Sequence, residues 1–140
     1  MTYAVFVSRT KQIFYMENGK IKILAIDDEK DFIEMIREYF EVRGYEIDAL
    51  SDGIEGIKMF AEKPYDVVLL DLKMTGIDGE EVMRRMKEIK NNIKTIFITA
   101  FSDSGATKDR VVALGAYAYI EKPLTSLKHL EELIKTAAKE

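Results

Sequence analysis

Asp66-Val67-Val68-Leu69-Leu70-Asp71 decides the fold. Four apolar residues in a row stand between two acids. A strand with one wet face alternates apolar and polar positions, whereas a strand covered on both faces reads as an unbroken apolar run. Val67 to Leu70 is such a run, so a helix layer is expected on each side of it. The acid that closes it, Asp71, is costly in a buried place unless it is used.

Outward from this strand the pattern repeats. Upstream, Ile21-Lys22-Ile23-Leu24-Ala25-Ile26 is a strand ending in Asp27-Asp28. Lys30 to Arg43 follows, with Phe32, Ile36 and Phe40 at helical spacing. Gly44 stands where a left-handed residue ends a helix. Tyr45 to Leu50 reads as a strand, Ser51-Asp52 as N-cap candidates for a helix to about Glu62, and Pro64 as its stop. Downstream, Thr75-Gly76-Ile77-Asp78-Gly79 is a turn, and Asp78 can cap a helix to about Ile89. Asn91-Asn92 breaks the chain. Lys94 to Ile98 is a fourth strand, Asp103 to Leu114 a fourth helix and Ala116 to Ile120 a fifth strand. The last helix starts near Ser126, with Leu127, Leu130, Ile134 and Ala137 on one face. Five βα units in this order imply an α/β fold, a doubly wound parallel sheet with right-handed crossovers. It occupies residues 21–140, behind an N-terminal extension of residues 1–20.

Composition narrows the chemistry. The 140 residues suit one domain, and no internal repeat is visible. Zero cysteines exclude a disulfide framework, thiol catalysis and a cysteine zinc site. One histidine, His129, excludes histidine metal clusters and Ser-His or Cys-His pairs. A net charge of −4 without a basic stripe argues against direct nucleic-acid binding. The longest apolar runs are strand-sized, far below the roughly 20 residues of a spanning helix. Tyr3 to Val7 is too short for a signal-peptide core. A cytoplasmic protein with no membrane partner is expected.

The strand ends then carry the function. They deliver Asp27 and Asp28, Asp71, Thr99 and Lys122 to one edge of the sheet. In an open α/β sheet, ligands bind in the crevice outside the carboxyl ends of the strands. Carboxylates brought together repel, and one takes up a proton unless a cation intervenes. Mg²⁺ resolves that conflict with oxygen ligands. Asp71 is then placed for in-line attack on a phosphoryl group, giving an acyl phosphate. Thr99 can hydrogen-bond a phosphoryl oxygen. The Lys122 ammonium is expected to pair with Asp71 and then with those oxygens, and Lys122-Pro123 is a plausible cis bond. Singly, each residue has a plainer explanation: a loop or helix cap for Asp27, Asp28 and Glu29, a turn cap for Asp71, a strand threonine, a solvated lysine. All five at one sheet edge outweigh those readings.

These residues resemble the receiver domain of two-component response regulators, particularly the stand-alone chemotaxis-type receivers. The likeness covers about Ile21 to Lys139. It rests on Ile26-Asp27-Asp28-Glu29, on Asp71-Leu72-Lys73-Met74-Thr75-Gly76-Ile77-Asp78-Gly79, on Thr99-Ala100, on Gly115-Ala116 and on Lys122-Pro123-Leu124. The resemblance implies a flavodoxin-like (βα)5 sheet of strand order 2-1-3-4-5. It implies Asp71 as phosphoacceptor, with Mg²⁺ on Asp28, Asp71 and the backbone carbonyl of Lys73, and on Asp27 through a water. Thr99 and Lys122 would hold the phosphoryl oxygens, with Thr99 and Tyr119 as the switch pair. A partner histidine kinase or phosphotransfer protein would supply the phosphoryl group, and a separate downstream protein would read the result. Such a chain is a signalling phosphoacceptor that catalyses its own phosphorylation and dephosphorylation rather than an enzyme with its own substrate.

The departures are specific. Thr75 replaces a proline common in the family, and Gly56 an alanine, which predicts a soft second helix. The stretch between Thr99 and Gly115 is one residue longer than in typical chemotaxis receivers, and it holds Ser102, Ser104 and Gly105, so a mobile start to the fourth helix is expected. Lys73 and Phe101 lie where the family tunes phosphoryl lifetime, and Phe101 is expected to shield the acyl phosphate from water.

Rival functions fit less well. A haloacid-dehalogenase-like phosphatase needs an acid where Lys73 stands. A flavodoxin-like cofactor carrier needs a Ser/Thr/Gly-rich phosphate loop where Asp27-Asp28-Glu29 stands. A constitutive binding scaffold has no use for an intact acidic site. His129 falls in a terminal helix of an α/β domain, unlike a phosphotransfer histidine. The arm offers apolar Tyr3 to Val7 and Ile13 to Met16, with Asn18-Gly19 as a hairpin signal. It is expected to form a structured element that assists self-association, unless translation begins at Met16.

Overall fold

The computed structural model describes residues 19–140. Strands β1 (Lys22–Ile26), β2 (Glu46–Leu50), β3 (Val67–Leu70), β4 (Lys94–Thr99) and β5 (Ala118–Glu121) form one parallel sheet. Their order is β2-β1-β3-β4-β5, as expected. Helices α1 (Lys30–Val42), α2 (Gly53–Glu62), α3 (Gly79–Ile89), α4 (Ala106–Ala113) and α5 (Leu127–Lys139) connect and close it. Residues 1–18 of the N-terminal arm, and with them its expected part in self-association, lie outside the described residues. Among the described residues, no helix is long and apolar enough to cross a membrane.

β3 behaves as its apolar run demands. Val68 and Leu70 join one core with Phe60 of α2, Val82, Met83 and Met86 of α3, and Val111 of α4. Val67 and Leu69 join the other, with Ile36 and Phe40 of α1 and Leu130 and Ile134 of α5. All four strand residues are buried. Full burial of each such aliphatic or aromatic side chain contributes about 1.5–3 kcal/mol.

β2 and β5 begin later than the apolar pattern predicts because a helix end claims the residue expected to open each. Gly44 and Gly115 take the left-handed conformation, at φ +90 and +112. Each lets the next residue return its N–H to the helix just ended: Tyr45 to Phe40 O at 3.1 Å, and Ala116 to Val111 O at 2.9 Å. Those N–H groups are lost to the sheet, so β2 starts at Glu46 rather than Tyr45, and Ala116 falls outside β5. There the Tyr117 N–H is the first to reach β4, at Thr95 O 2.8 Å away, ahead of the strand proper from Ala118. The Phe40 and Tyr45 rings seal the first junction edge to face, 5.0 Å apart.

Helix starts follow their caps. Asp52, Asp78 and Ser126 accept the N–H of Glu55, Glu81 and His129. α4 is shorter than its expected span from Asp103. The Asp103 carboxylate accepts the N–H and hydroxyl of Thr107, while Ser104 and Gly105 turn left-handed at φ 61 and 91. The helix therefore starts at Ala106. Gly56 has a packing reason: a Cβ there would lie 2.3 Å from Ile26 Cδ1 and 3.0 Å from its Cγ1. Close seating of α2 on β1 offsets the weak helix propensity of glycine.

Candidate functional site

Strand register builds the site. Ile26 lies beside Leu70, and Leu70 beside Phe97. The next residues, Asp27 and Asp71, therefore leave the sheet side by side. The Asp71 N–H still bonds Ile26 O at 3.0 Å, the Asp27 N–H bonds Leu50 O at 3.0 Å, and the Lys122 N–H bonds Thr99 O at 2.8 Å. Asp27, Asp71 and Lys122 are thus anchored by backbone where their strands end. Gly79 tightens the loop after β3: its N–H donates to Leu72 O at 2.8 Å, and a Cβ there would fall 2.2 Å from Asp71 O.

The three acids converge. Asp27, Asp28 and Asp71 each bring a carboxylate oxygen within 4.8 Å of the others. Asp27 is 2% exposed and Asp71 7%, while Asp28 is open to solvent. Two full charges at 4.8 Å repel by ~3.5 kcal/mol at an effective dielectric near 20. Burial, with that repulsion from Asp71, raises the Asp27 pKa above its ordinary value despite the bond from Lys122. Among the described residues the Asp71 carboxylate forms no ion pair and no side-chain hydrogen bond. A compact set of oxygen donors whose repulsion Lys122 relieves only at Asp27 fits a hard divalent cation such as Mg²⁺.

Lys122 corrects an expectation. Its ammonium reaches Asp27 Oδ2 at 2.9 Å and Glu29 Oε1 at 2.8 Å instead of pairing with Asp71. It also lies over the Phe32 ring, 4.2 Å from the centroid. Two anions and an aromatic face hold it on the β1 side of the crevice. Burial favours a neutral lysine, but the bonds it donates to Glu29 and Asp27 outweigh it and raise the pKa. The Lys122-Pro123 bond is cis.

Glu29 and Phe32 are therefore site residues that sequence reasoning missed. Glu29 passed for a cap, and it does occupy the N-cap position of α1, yet its side chain caps nothing. Its N–H donates to Asp27 Oδ1 at 2.9 Å instead. The signal was a third acid in a row at a strand end. Thr75 was read only as a missing proline, but it contacts Asp28: its N–H lies 3.1 Å and its hydroxyl 3.4 Å from Asp28 Oδ2.

Thr99 is 1% exposed, and its hydroxyl accepts the Phe101 N–H at 3.1 Å. The Tyr119 hydroxyl donates to Phe101 O at 3.0 Å. Both expected switch residues thus grip the same residue of the loop after β4. The Lys73 ammonium lies 4.4 Å from the Phe101 ring centroid, which joins the loops after β3 and β4. His129 lies in the first turn of α5, where its N–H is capped by Ser126.

Comparison with known proteins follows the same lines. A family model described as the response regulator receiver domain matches residues 23–135. The chain is 33% identical over 102 residues to sporulation initiation phosphotransferase F of Bacillus subtilis, covering 73% of this chain and 82% of that protein. It is 32% identical over 103 residues to response regulator SaeR of Staphylococcus epidermidis, covering 74% of this chain but 44% of SaeR. Among solved structures, response regulator TrrA of Thermotoga maritima in complex with Mg²⁺-BeF matches at a TM-score of 0.74 and 33% identity, covering 84% of this chain and 98% of that one. A response regulator receiver domain protein of Clostridium thermocellum matches at 0.73 and 31%, covering 84% and 94%. The chain belongs to the response regulator receiver domain family.

Proposed function

We propose that the chain is a phosphoacceptor switch that takes a phosphoryl group onto Asp71. A phosphorylated histidine of a partner kinase or phosphotransfer protein supplies the group. The P–N bond breaks, a bond forms from an Asp71 carboxylate oxygen to phosphorus, and the imidazole departs. The observation that carries this reading is the convergence of three carboxylates at the ends of β1 and β3, with no ion pair or side-chain hydrogen bond to Asp71 among the described residues. Asp28, Asp71 and the Lys73 carbonyl would hold Mg²⁺, with Asp27 assisting through a water. When bound, Mg²⁺ neutralises the carboxylates and the phosphoryl oxygens during transfer.

The remaining residues bind and report. Lys122 leaves Glu29 for a phosphoryl oxygen, a short move for an ammonium that stays charged. Thr99 turns its hydroxyl to another phosphoryl oxygen and gives up the Phe101 N–H. That frees the loop to which Tyr119 is bonded, so the faces of α4, β5 and α5 shift between two states. A separate protein reads that surface. Phe101, braced by Lys73, slows attack by water on the acyl phosphate.

Incubation with Mg²⁺ and acetyl phosphate tests this. The expected result is a mass gain of one phosphoryl group that hydroxylamine removes and that Asp71→Asn lacks. The label decays faster in Phe101→Glu. No gain, or a gain kept by Asp71→Asn, overturns the assignment.

A further inference from the structure

We infer that Thr75 is a positioning residue for the cation, acting through Asp28; this rests on the reading of the acidic cluster as a Mg²⁺ site. Asp28 is the one member of the cluster open to solvent. An exposed carboxylate on a strand end samples several rotamers, and a ligand must be held in one. Thr75 supplies that restraint. Its backbone N–H at 3.1 Å and its hydroxyl at 3.4 Å both address Asp28 Oδ2.

The geometry has two consequences. Both donors meet the same oxygen, so Oδ1 of Asp28 keeps its lone pairs for a cation. The contact also crosses from the loop after β3 to the end of β1, and so draws Asp28 towards Asp71. Hydrogen-bond partners that orient a metal-bound group typically change metal affinity by about 10- to 100-fold when removed. The bonds here are exposed and one is long, so the effect belongs at the lower end of that range.

The test is Mg²⁺ titration of the unphosphorylated full chain by calorimetry, with no phosphodonor present. Thr75→Pro removes both donors, Thr75→Val removes the hydroxyl alone, and Thr75→Ser keeps both. Thr75→Pro is expected to weaken Mg²⁺ binding by roughly ten-fold, Thr75→Val by less, and Thr75→Ser to match the parent chain. Melting temperatures in chelator identify any variant whose fold has changed. If the parent chain binds Mg²⁺ but Thr75→Pro binds it equally or more tightly, the inference is overturned and the site reading stands. If the parent chain binds no Mg²⁺, or Asp28→Asn binds it unchanged, both are overturned.

Discussion

The two ends of the sheet use acids in opposite ways. Towards the N-terminal ends of the strands, Asp48, midway along the edge strand β2, is bonded by Lys63 at 2.8 Å and Tyr65 at 2.5 Å, and Asp66, just before β3, accepts the Lys22 N–H at 2.8 Å. On the adjoining seam of α1 and α5, Glu131 accepts the Tyr39 and Tyr45 hydroxyls at 3.0 and 2.9 Å and approaches Arg43 at 3.5 Å. Each of these carboxylates is consumed by structure. At the C-terminal ends, Asp27, Asp28 and Asp71 crowd one another, and Asp71 has no cationic partner among the described residues. A satisfied acid stabilises; an unsatisfied buried one costs stability and keeps its reactivity. The difference in partners, more than the difference in residue type, separates scaffold from site.

The sharpest way to break this comparison is at Glu131. Glu131→Ala leaves the Tyr45 hydroxyl and the Arg43 guanidinium without their acceptor. Urea denaturation should show a loss of about 2 kcal/mol. Phosphorylation by acetyl phosphate of the folded variant should be unchanged. A stable variant, or a folded one that no longer takes a phosphoryl group, would show that the two ends are not separable.

A smaller effect of opposite sign is expected at Asp71. In chelator at neutral pH, Asp71→Asn should be more stable than the parent chain by about 1 kcal/mol, because it removes one of three repelling charges. Adding Mg²⁺ should stabilise the parent chain, by ligand linkage, and Asp71→Asn much less. Denaturation curves with and without Mg²⁺ measure both. Destabilisation by Asp71→Asn in chelator would mean that Asp71 has a structural partner after all.

Local chemistry made most of the fold legible. The doubly buried run of β3, the capping acids Asp52 and Asp78 and the left-handed Gly44 each signal through short-range physics. Asp27, Asp28, Asp71, Thr99 and Lys122 were legible as a group because parallel order sends every strand end to one edge. Their pairing was not. Lys122 lies 93 residues from Glu29 and 95 from Asp27, and its choice of partner depends on how β5 and the start of α1 meet. Gly56 misled for a similar reason: helix propensity is local, whereas its contact with Ile26 is tertiary. The start of α4 was missed because Asp103 caps from outside the helix.

The smallest effect separates the two ends by pH. Burial alone would raise the Asp48 pKa, but the bonds from Lys63 and Tyr65 outweigh it and lower the pKa from 3.8. Its charged form is favoured by folding, so it contributes stability above pH 3.8 that is lost as pH falls through the lower folded value. Asp27 behaves in reverse. Burial raises its pKa above 3.8, so its charged form costs stability at neutral pH, and that cost fades as pH falls from the folded value to 3.8. In chelator, Asp48→Asn should therefore be less stable than the parent chain at pH 7, by under about 1 kcal/mol for so exposed a pair. The deficit should close only below pH 3.8. Asp27→Asn should be the more stable chain at pH 7, and its advantage should vanish by pH 3.8, before the Asp48 deficit begins to close. Urea midpoints across that range measure both gaps. If they close over the same range of pH, the two carboxylates share one kind of environment, and the contrast between the ends of the sheet fails at its most sensitive point.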